Sequence, residues 1–321
     1  MKNFLIIAFI WVLMVNPASA EVIARFGVIT DIHYSNKLDT KSRKFSAALP
    51  KTDYFVKTME RLKADFIIEL GDFVEKLSDD KDPVQNLEEI ENVYASFNGP
   101  FYHVLGNHEF DDLKRSELLS HLNNTGIPTV KTYYSFDRNG IHCIVLDGDY
   151  TVLEPHQPFD AQTEDNAFWY WKEAWIPQEE LDWLTADLAD SQLPTLVFTH
   201  QLLHRNNKED HTVKNANVVR EILESDGQVI AVFSGHDHRG EVSIVNNIHY
   251  FVLEGNVGMS RDWSMVSATN GLDAGQDSPF TFVKISELRE WDFDGVRTYQ
   301  IHLKGNGPHY SYVDRVQMIT P

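Results

Sequence analysis

Asp31 and His33 stand two apart at the end of the apolar run that begins at Val22, in the stretch GVITDIHY. Side chains two apart on an extended chain point the same way, so both face one point while Ile32 turns back toward the core. The pattern of polar residues closing an apolar run recurs along the chain. Gly71-Asp72 follows FIIEL, Gly106-Asn107-His108-Glu109 follows FYHVL, His200 follows LVFT, and Ser234-Gly235-His236-Asp237-His238 follows VIAVF. Asp, Asn and His without Cys form an oxygen and nitrogen donor set, which suits Mn, Fe, Zn or Co better than Ca or Mg. Asp31, His33, Asp72, Asn107, His108, His200, His236 and His238 are too many for one ion. Two ions bridged by a carboxylate would use them, and metals about 3.5–4 Å apart are the usual device for in-line displacement at phosphorus. Such a pair would share a hydroxide, lower its pKa and neutralise the phosphoryl oxygens as charge develops.

Taken singly, these residues say less. Asp72 after a strand suits a helix cap or a turn, Asn107 suits a left-handed turn, and a lone His such as His200 is more often a satisfied polar residue than a ligand. Their joint occurrence at successive strand ends gives the set its meaning.

The elements that must position them alternate. Strands are predicted at Val22 to Thr30, Phe66 to Leu70, Phe101 to Leu105, His142 to Leu146, Thr195 to Thr199 and Val229 to Phe233. In PQEELDWLTADLAD, Leu181, Leu184 and Leu188 recur at helical spacing, with Pro177 expected in the first turn. In NVVREILES, Val218, Val219, Ile222 and Leu223 make one apolar face, with Asn217 as the expected cap. This alternation predicts an α/β chain with helices covering sheet faces. From Glu241 onward the chain turns strand-like, predicting the antiparallel end of a sheet or a second sheet packed on the first. In open α/β sheets the carboxyl ends of the strands build the ligand crevice. The glycines before Asp72, Asn107 and His236 suit abrupt turns there.

The ordered set D-x-H (Asp31, His33), G-D (Asp72), G-N-H-E (Gly106 to Glu109), H (His200) and G-H-x-H (Gly235 to His238) resembles the calcineurin-like metallophosphoesterase superfamily. The likeness covers roughly Val22 to Glu254. RFGVITDIHY, VLGNHEF, YYSF, PQEELDWL and SGHDHRGE resemble its manganese-dependent ADP-ribose/CDP-alcohol diphosphatase branch, which tends to carry Gln where this chain has His33. The resemblance implies a metallo-dependent phosphatase-like four-layer α/β/β/α sandwich with mixed sheets, as one domain over residues 21–321. It implies two divalent transition metal ions (Mn, Fe or Zn) and hydrolysis of a small phosphomonoester, phosphodiester or nucleotide pyrophosphate. Asp31, His33, Asp72 and His238 would hold one ion; Asp72, Asn107, His200 and His236 the other. His108 would stay off the metals, contacting a phosphoryl oxygen or protonating the leaving oxygen. Glu75, three after Asp72, is expected to orient His108 by accepting its other ring proton, with Glu109 as the rival partner. The alternative is a catalytically silent scaffold on this fold or a metal-binding protein. These predict eroded ligands or histidine-rich tracts, and the sequence has neither.

Bulk properties narrow the setting. Lys2, the apolar stretch Phe4 to Val15 and Ala18-Ser19-Ala20 form a signal-peptide pattern over residues 1–20, predicting cleavage near Ala20 and a secreted or periplasmic protein. That stretch is short for a membrane span, which takes roughly 20 residues, so no stable membrane insertion is expected. Asp and Glu number 48 against 28 Lys and Arg, a formal charge of -20. Such a surface repels nucleic acid, so no nucleic-acid partner is expected, and a small anionic substrate needs a local cationic site. Bound metal ions can provide one. Arg43, Lys44, Arg205 and Arg239 lie near the motif loops and could bind a second phosphate, against surface charge as the default. His204 is a candidate beside the substrate, against a solvated loop histidine. Arg43 and His204 are carried forward as substrate-binding candidates. His103 and His142, inside strands, are expected to be structural, and Cys143, the single cysteine, is expected to be a buried inert thiol. The aromatics Phe168, Trp169, Tyr170, Trp171 and Trp175 either pack a lid or insertion on the core or stack a base. Oligomeric state is left open.

Overall fold

The computed structural model describes residues 19–78, 81–161, 170–258, 279–289, 297–305 and 311–318. Residues 1–18 of the predicted signal segment 1–20, and the aromatics Phe168 and Trp169, lie outside the described residues.

Two six-stranded mixed sheets carry the fold. The first is built from β1 (Ser19–Ile29), β2 (Phe66–Glu69), β3 (Phe101–His103), β10 (Thr281–Arg289), β11 (Arg297–Gly305) and β12 (Ser311–Met318), in the order β12-β11-β10-β1-β2-β3. The second comprises β4 (Tyr134–Arg138), β5 (Ile141–Val145), β6 (Thr195–Thr199), β7 (Val229–Ser234), β8 (Arg239–Val245) and β9 (Ile248–Glu254), in the order β4-β5-β6-β7-β9-β8. Parallel pairs run through β1-β2-β3 and β5-β6-β7-β9, with antiparallel strands added at the flanks. The strand-like C-terminal third therefore serves both sheets. β8 and β9 finish the second, while β10 to β12 extend the first.

Side-chain alternation makes the layers. Phe26, Val28, Phe66, Ile68, Phe198 and Phe233 point into a core shared by the two sheets. The opposite faces carry helices. Ile29 and Ile67 pack under α1 (Ala48–Leu62), α2 (Pro83–Tyr94) and α3 (Arg115–His121), through Phe55, Met59, Ile90, Tyr94 and Leu118. Ile144, Val197 and Val232 pack under α4 (Gln178–Asp190) and α5 (Ala216–Asp226), through Leu184, Leu188, Val219 and Leu223. The result is the expected α/β/β/α order. α1 sits so close to β1 that a Cβ on Gly27 would lie 2.4 Å from Met59 Sδ.

Helix starts follow capping chemistry, with two corrections. At α2, Asp82 accepts a hydrogen bond from the Val84 amide at 2.9 Å and Pro83 opens the first turn. Pro177 precedes α4 as its cap residue, where an extended backbone suits the ring, rather than entering its first turn. Asn217 lies inside α5; the cap position is Asn215, whose side chain instead bonds both Ile176 main-chain groups at 3.1 and 2.7 Å.

Candidate metal centre

The predicted ligands gather at the carboxyl ends of the parallel strands of both sheets. Asp31 and His33 follow β1, Asp72 follows β2, Asn107 and His108 follow β3, His200 follows β6, and His236 and His238 follow β7. Main-chain bonds lace these ends together. Asp31 N–H donates to Gly71 O at 3.0 Å, His33 N–H to Asp72 O at 2.8 Å and Gly235 N–H to His200 O at 3.1 Å. Asp31, His33, Asp72 and His236 have φ of 52, 50, 56 and 65°. This left-handed conformation costs a non-glycine residue about 1–2 kcal/mol, and such strain concentrates at functional sites.

Glycines let the strand tips close. A Cβ on Gly106 would lie 2.3 Å from the Asp72 amide nitrogen, and one on Gly235 would lie 2.0 Å from Thr30 Oγ1. Glu109 braces the same turns. Its buried carboxylate accepts from the amides of Phe73 at 2.7 Å, Gly106 at 3.1 Å and Asp72 at 3.3 Å.

Two donor groups share one carboxylate. Asp31, His33, Asp72 and His238 each offer an atom within 4.8 Å of the others, as do Asp72, His200 and His236. Outward hydrogen bonds set the imidazole tautomers. His200 Nδ1 donates to Leu70 O at 2.7 Å, leaving Nε2 facing Asp72 Oδ2 at 3.2 Å. His236 Nε2 donates to the Trp171 carbonyl at 2.9 Å, leaving Nδ1 3.1 Å from His200 Nε2. His33 Nδ1 lies 3.2 Å from Glu75 Oε2, and its Nε2 lies 3.2 Å from His238 Nε2. Two imidazole lone pairs facing each other at this range repel unless a proton or a cation lies between them. Asn107 Oδ1 is buried with no hydrogen-bond partner, which leaves it available as a metal ligand. The residues present therefore fit two transition-metal ions.

Electrostatics agree. Burial would raise the Asp31 and Asp72 carboxyls, yet His238 and His33 facing the first, and His200 and His108 facing the second, hold both well below the usual carboxylate range. The Asp72 charge raises His200 against its burial, while burial and His200 push His236 down to about 3. Among the described residues of the centre, the His238 and His108 side chains are 26% and 22% exposed, while Asp31, His33, Asp72 and His200 are buried.

His108 stands beside the ligands, its ring 4.8 Å from that of His33. Its Nδ1 donates to Asp111 Oδ2 at 2.7 Å. The expectation that Glu75 accepts this proton is corrected, and so is the Glu109 alternative. The turn His108–Asp111 is a 3-10 helix, which brings a residue three positions on beneath the ring. Glu75 is instead bound to Lys37 Nζ at 2.5 Å and Arg43 Nη1 at 2.6 Å, against His33. Burial raises Glu75, but His33, His108 and Arg43 outweigh it and hold the carboxyl low.

His204 is not brought to the centre. Its Nε2 binds Glu241 at 3.0 Å, and Arg205 binds the same carboxylate and Asp237. Asp237 turns to Arg205 and Arg239 at 2.7 and 2.8 Å. His103 lies 3.1 Å from Glu91, and His142 is held by Asp137 and Asp187, both structural as expected. Burial pushes the Cys143 thiol far up, leaving it inert. Trp175 stacks on His156 with centroids 4.4 Å apart. Trp171 lies beside His211, which packs on His236 at 5.1 Å.

The calcineurin-like phosphoesterase family profile matches residues 24–240. A manganese-dependent ADP-ribose/CDP-alcohol diphosphatase of Arabidopsis thaliana is 26% identical over 274 residues, covering 74% of this chain and 87% of that protein. One of the same description from Oryza sativa is 23% identical, covering 75% and 86%. A dimetal phosphatase from Danio rerio superposes with a TM-score of 0.64 at 18% identity, over 93% of this chain and all of that one. A purple acid phosphatase from yellow lupin reaches a TM-score of 0.57 at 12% identity, over 94% of this chain and 54% of that one.

Proposed function

The chain belongs to the calcineurin-like phosphoesterases, and from that premise we propose that this metal-dependent phosphoric ester hydrolase acts outside the cytoplasm on nucleoside diphosphate-linked alcohols, with manganese as the working metal. The observation that carries the catalytic reading is Asp72, one carboxylate shared between two sets of facing imidazoles. The substrate class is supported by relatives described as ADP-ribose/CDP-alcohol diphosphatases and matched over most of their length.

Asp31, His33, Asp72 and His238 would hold one ion, and Asp72, Asn107, His200 and His236 the other. Bound ions supply charge neutralisation at phosphoryl oxygens and an acidified water. The remaining chemistry belongs to the chain. Glu75, the Leu70 carbonyl and the Trp171 carbonyl fix ring orientation at His33, His200 and His236. Asp111 holds Nδ1 of His108, so Nε2 is the atom left to give a proton to the leaving oxygen. Glu109 keeps the Asp72 and Asn107 turns in register.

The test is a substrate panel on protein beginning at Glu21, reconstituted with Mn, Fe or Zn. ADP-ribose, CDP-choline, cyclic nucleotides and p-nitrophenyl phosphates are compared with an Asp72→Asn control. Diphosphate diesters are expected to lead, with the control inactive. Turnover unchanged in Asp72→Asn would move the chemistry elsewhere. Export rests on the signal pattern at residues 1–20. Recovery of the exported protein with Glu21 as its first residue is expected, and retention of Met1 on protein in the cytoplasm would refute export.

A further inference from the structure

A cavity of about 420 Å³ opens beside His238, lined by Ser42, Arg43, Arg239, Glu254 and the backbone of Gly255. Its volume falls in the range of small-molecule sites, about 300–1,000 Å³. It adjoins the metal centre, because His238 belongs to both. A Cβ on Gly255 would lie 2.7 Å from His238 Cγ, so the wall there is bare backbone and the imidazole edge reaches the cavity.

Its chemistry is polar. Among the described residues, those that line it are polar side chains, glycine and proline. It offers two guanidinium groups, in a chain of formal charge -20. Both are held in place by carboxylates. Arg43 gives Nη1 to Glu75 at 2.6 Å, and Arg239 gives Nε and Nη2 to Asp237 at 2.8 and 2.7 Å. A guanidinium has five N–H donors, so each keeps donors for a ligand, and the two-point contact with Asp237 orients the plane of Arg239. Glu75 also backs His33 at 3.2 Å, so one carboxylate sets both a metal ligand and the cavity's cation.

We propose that this cavity is a subsite for a second anionic group of the substrate, one phosphate beyond the phosphorus under attack, gripped by Arg43 and Arg239. The inference rests on the phosphoesterase reading above and deepens it. The metal centre alone handles one phosphate, and the cavity selects compounds that carry two. Arg43, carried forward from the sequence as a substrate-binding candidate, fits this role. Arg239 joins it, and Arg205, which does not line the cavity, does not.

Inorganic phosphate and inorganic pyrophosphate are titrated calorimetrically into the manganese-loaded protein, its Arg43→Gln and Arg239→Gln variants and the double variant. Pyrophosphate is expected to bind the parent more tightly than phosphate, with that preference falling at least tenfold in the double variant. In parallel, the kcat/KM of ADP-ribose relative to bis-p-nitrophenyl phosphate should fall at least tenfold. A preference that survives the substitutions overturns the subsite. Arg239 is 77% exposed at its side chain, so its replacement leaves the fold intact and decides the matter should Arg43→Gln disturb Glu75. The titration needs no turnover. A protein that prefers pyrophosphate but hydrolyses nothing supports the subsite and overturns the proposed activity.

Discussion

Asp111→Asn should slow the enzyme in a way that depends on the leaving group. The carboxylate accepts from His108 Nδ1 at 2.7 Å, with the two side chains 11% and 22% exposed. A hydrogen bond to a charged group is worth about 1.5–3 kcal/mol. At 1.36 kcal/mol per tenfold, this predicts a loss of about 10- to 150-fold in kcat/KM where His108 must deliver a proton. An alkoxide leaving group needs that proton, whereas p-nitrophenolate departs as a stable anion. The assay compares kcat/KM for an alkyl phosphodiester and its p-nitrophenyl counterpart in the parent, Asp111→Asn, His108→Ala and the double variant. The loss should fall on the alkyl substrate, and Asp111→Asn should add little once His108 is gone, because the two residues act as a unit. Equal losses on both substrates would refute proton delivery and place His108 on the phosphoryl oxygen. A full loss in the His108→Ala background would show that Asp111 acts through something else.

Three further outcomes follow from the packing. Gly106→Ala drives a methyl into the backbone of Asp72, which cannot swing aside as a side chain could; a loss of at least 2 kcal/mol in urea unfolding is expected, roughly the upper range for an overpacked site, with fewer than two ions retained by metal analysis. Glu109→Gln must turn an amide NH2 toward at least one backbone N–H that now donates to a carboxylate oxygen, costing about 1–3 kcal/mol of stability by the same measurement. His142 gives both ring nitrogens to Asp137 and Asp187, which together raise it against its burial. Its contribution is full below the unperturbed imidazole value of about 6.5 and fades as pH rises through the higher folded value. The stability gap between parent and His142→Gln should therefore narrow as unfolding is repeated at rising pH above about 6.5, and a gap that widened would reverse the sign of the coupling.

The metal ligands were legible because a strand end and a residue type together constrain where a side chain goes. Asp31, Asp72, Asn107, His200, His236 and His238 each close an apolar run, so their meeting followed from strand order alone. Asp111 was not, because only the 3-10 turn after Asn107 carries a residue three places on back under His108. Glu75 has the right spacing for an acid near the centre, but the path of residues 34–44 decides that it meets His33, Lys37 and Arg43. The Trp171 contact leaves no trace in the sequence at all, since any residue could supply that carbonyl. Of the helices, α2 announces itself through Asp82-Pro83, whereas β4 is half exposed and its YSFDR alternates weakly.

The strand that ends in Asp31 and His33 also fixes when the protein can be finished. β1 takes β2 as a parallel neighbour on one flank and β10 on the other, pairing Phe26 with Phe66 and also with Val283. The first neighbour emerges from the ribosome soon after β1; the second arrives more than two hundred residues later. Throughout synthesis the ladder groups of β1 on that flank stay bare, a template for pairing with another chain. A nascent polypeptide released before Thr281 thus carries Asp31 and His33 at the tip of a strand with one edge still open.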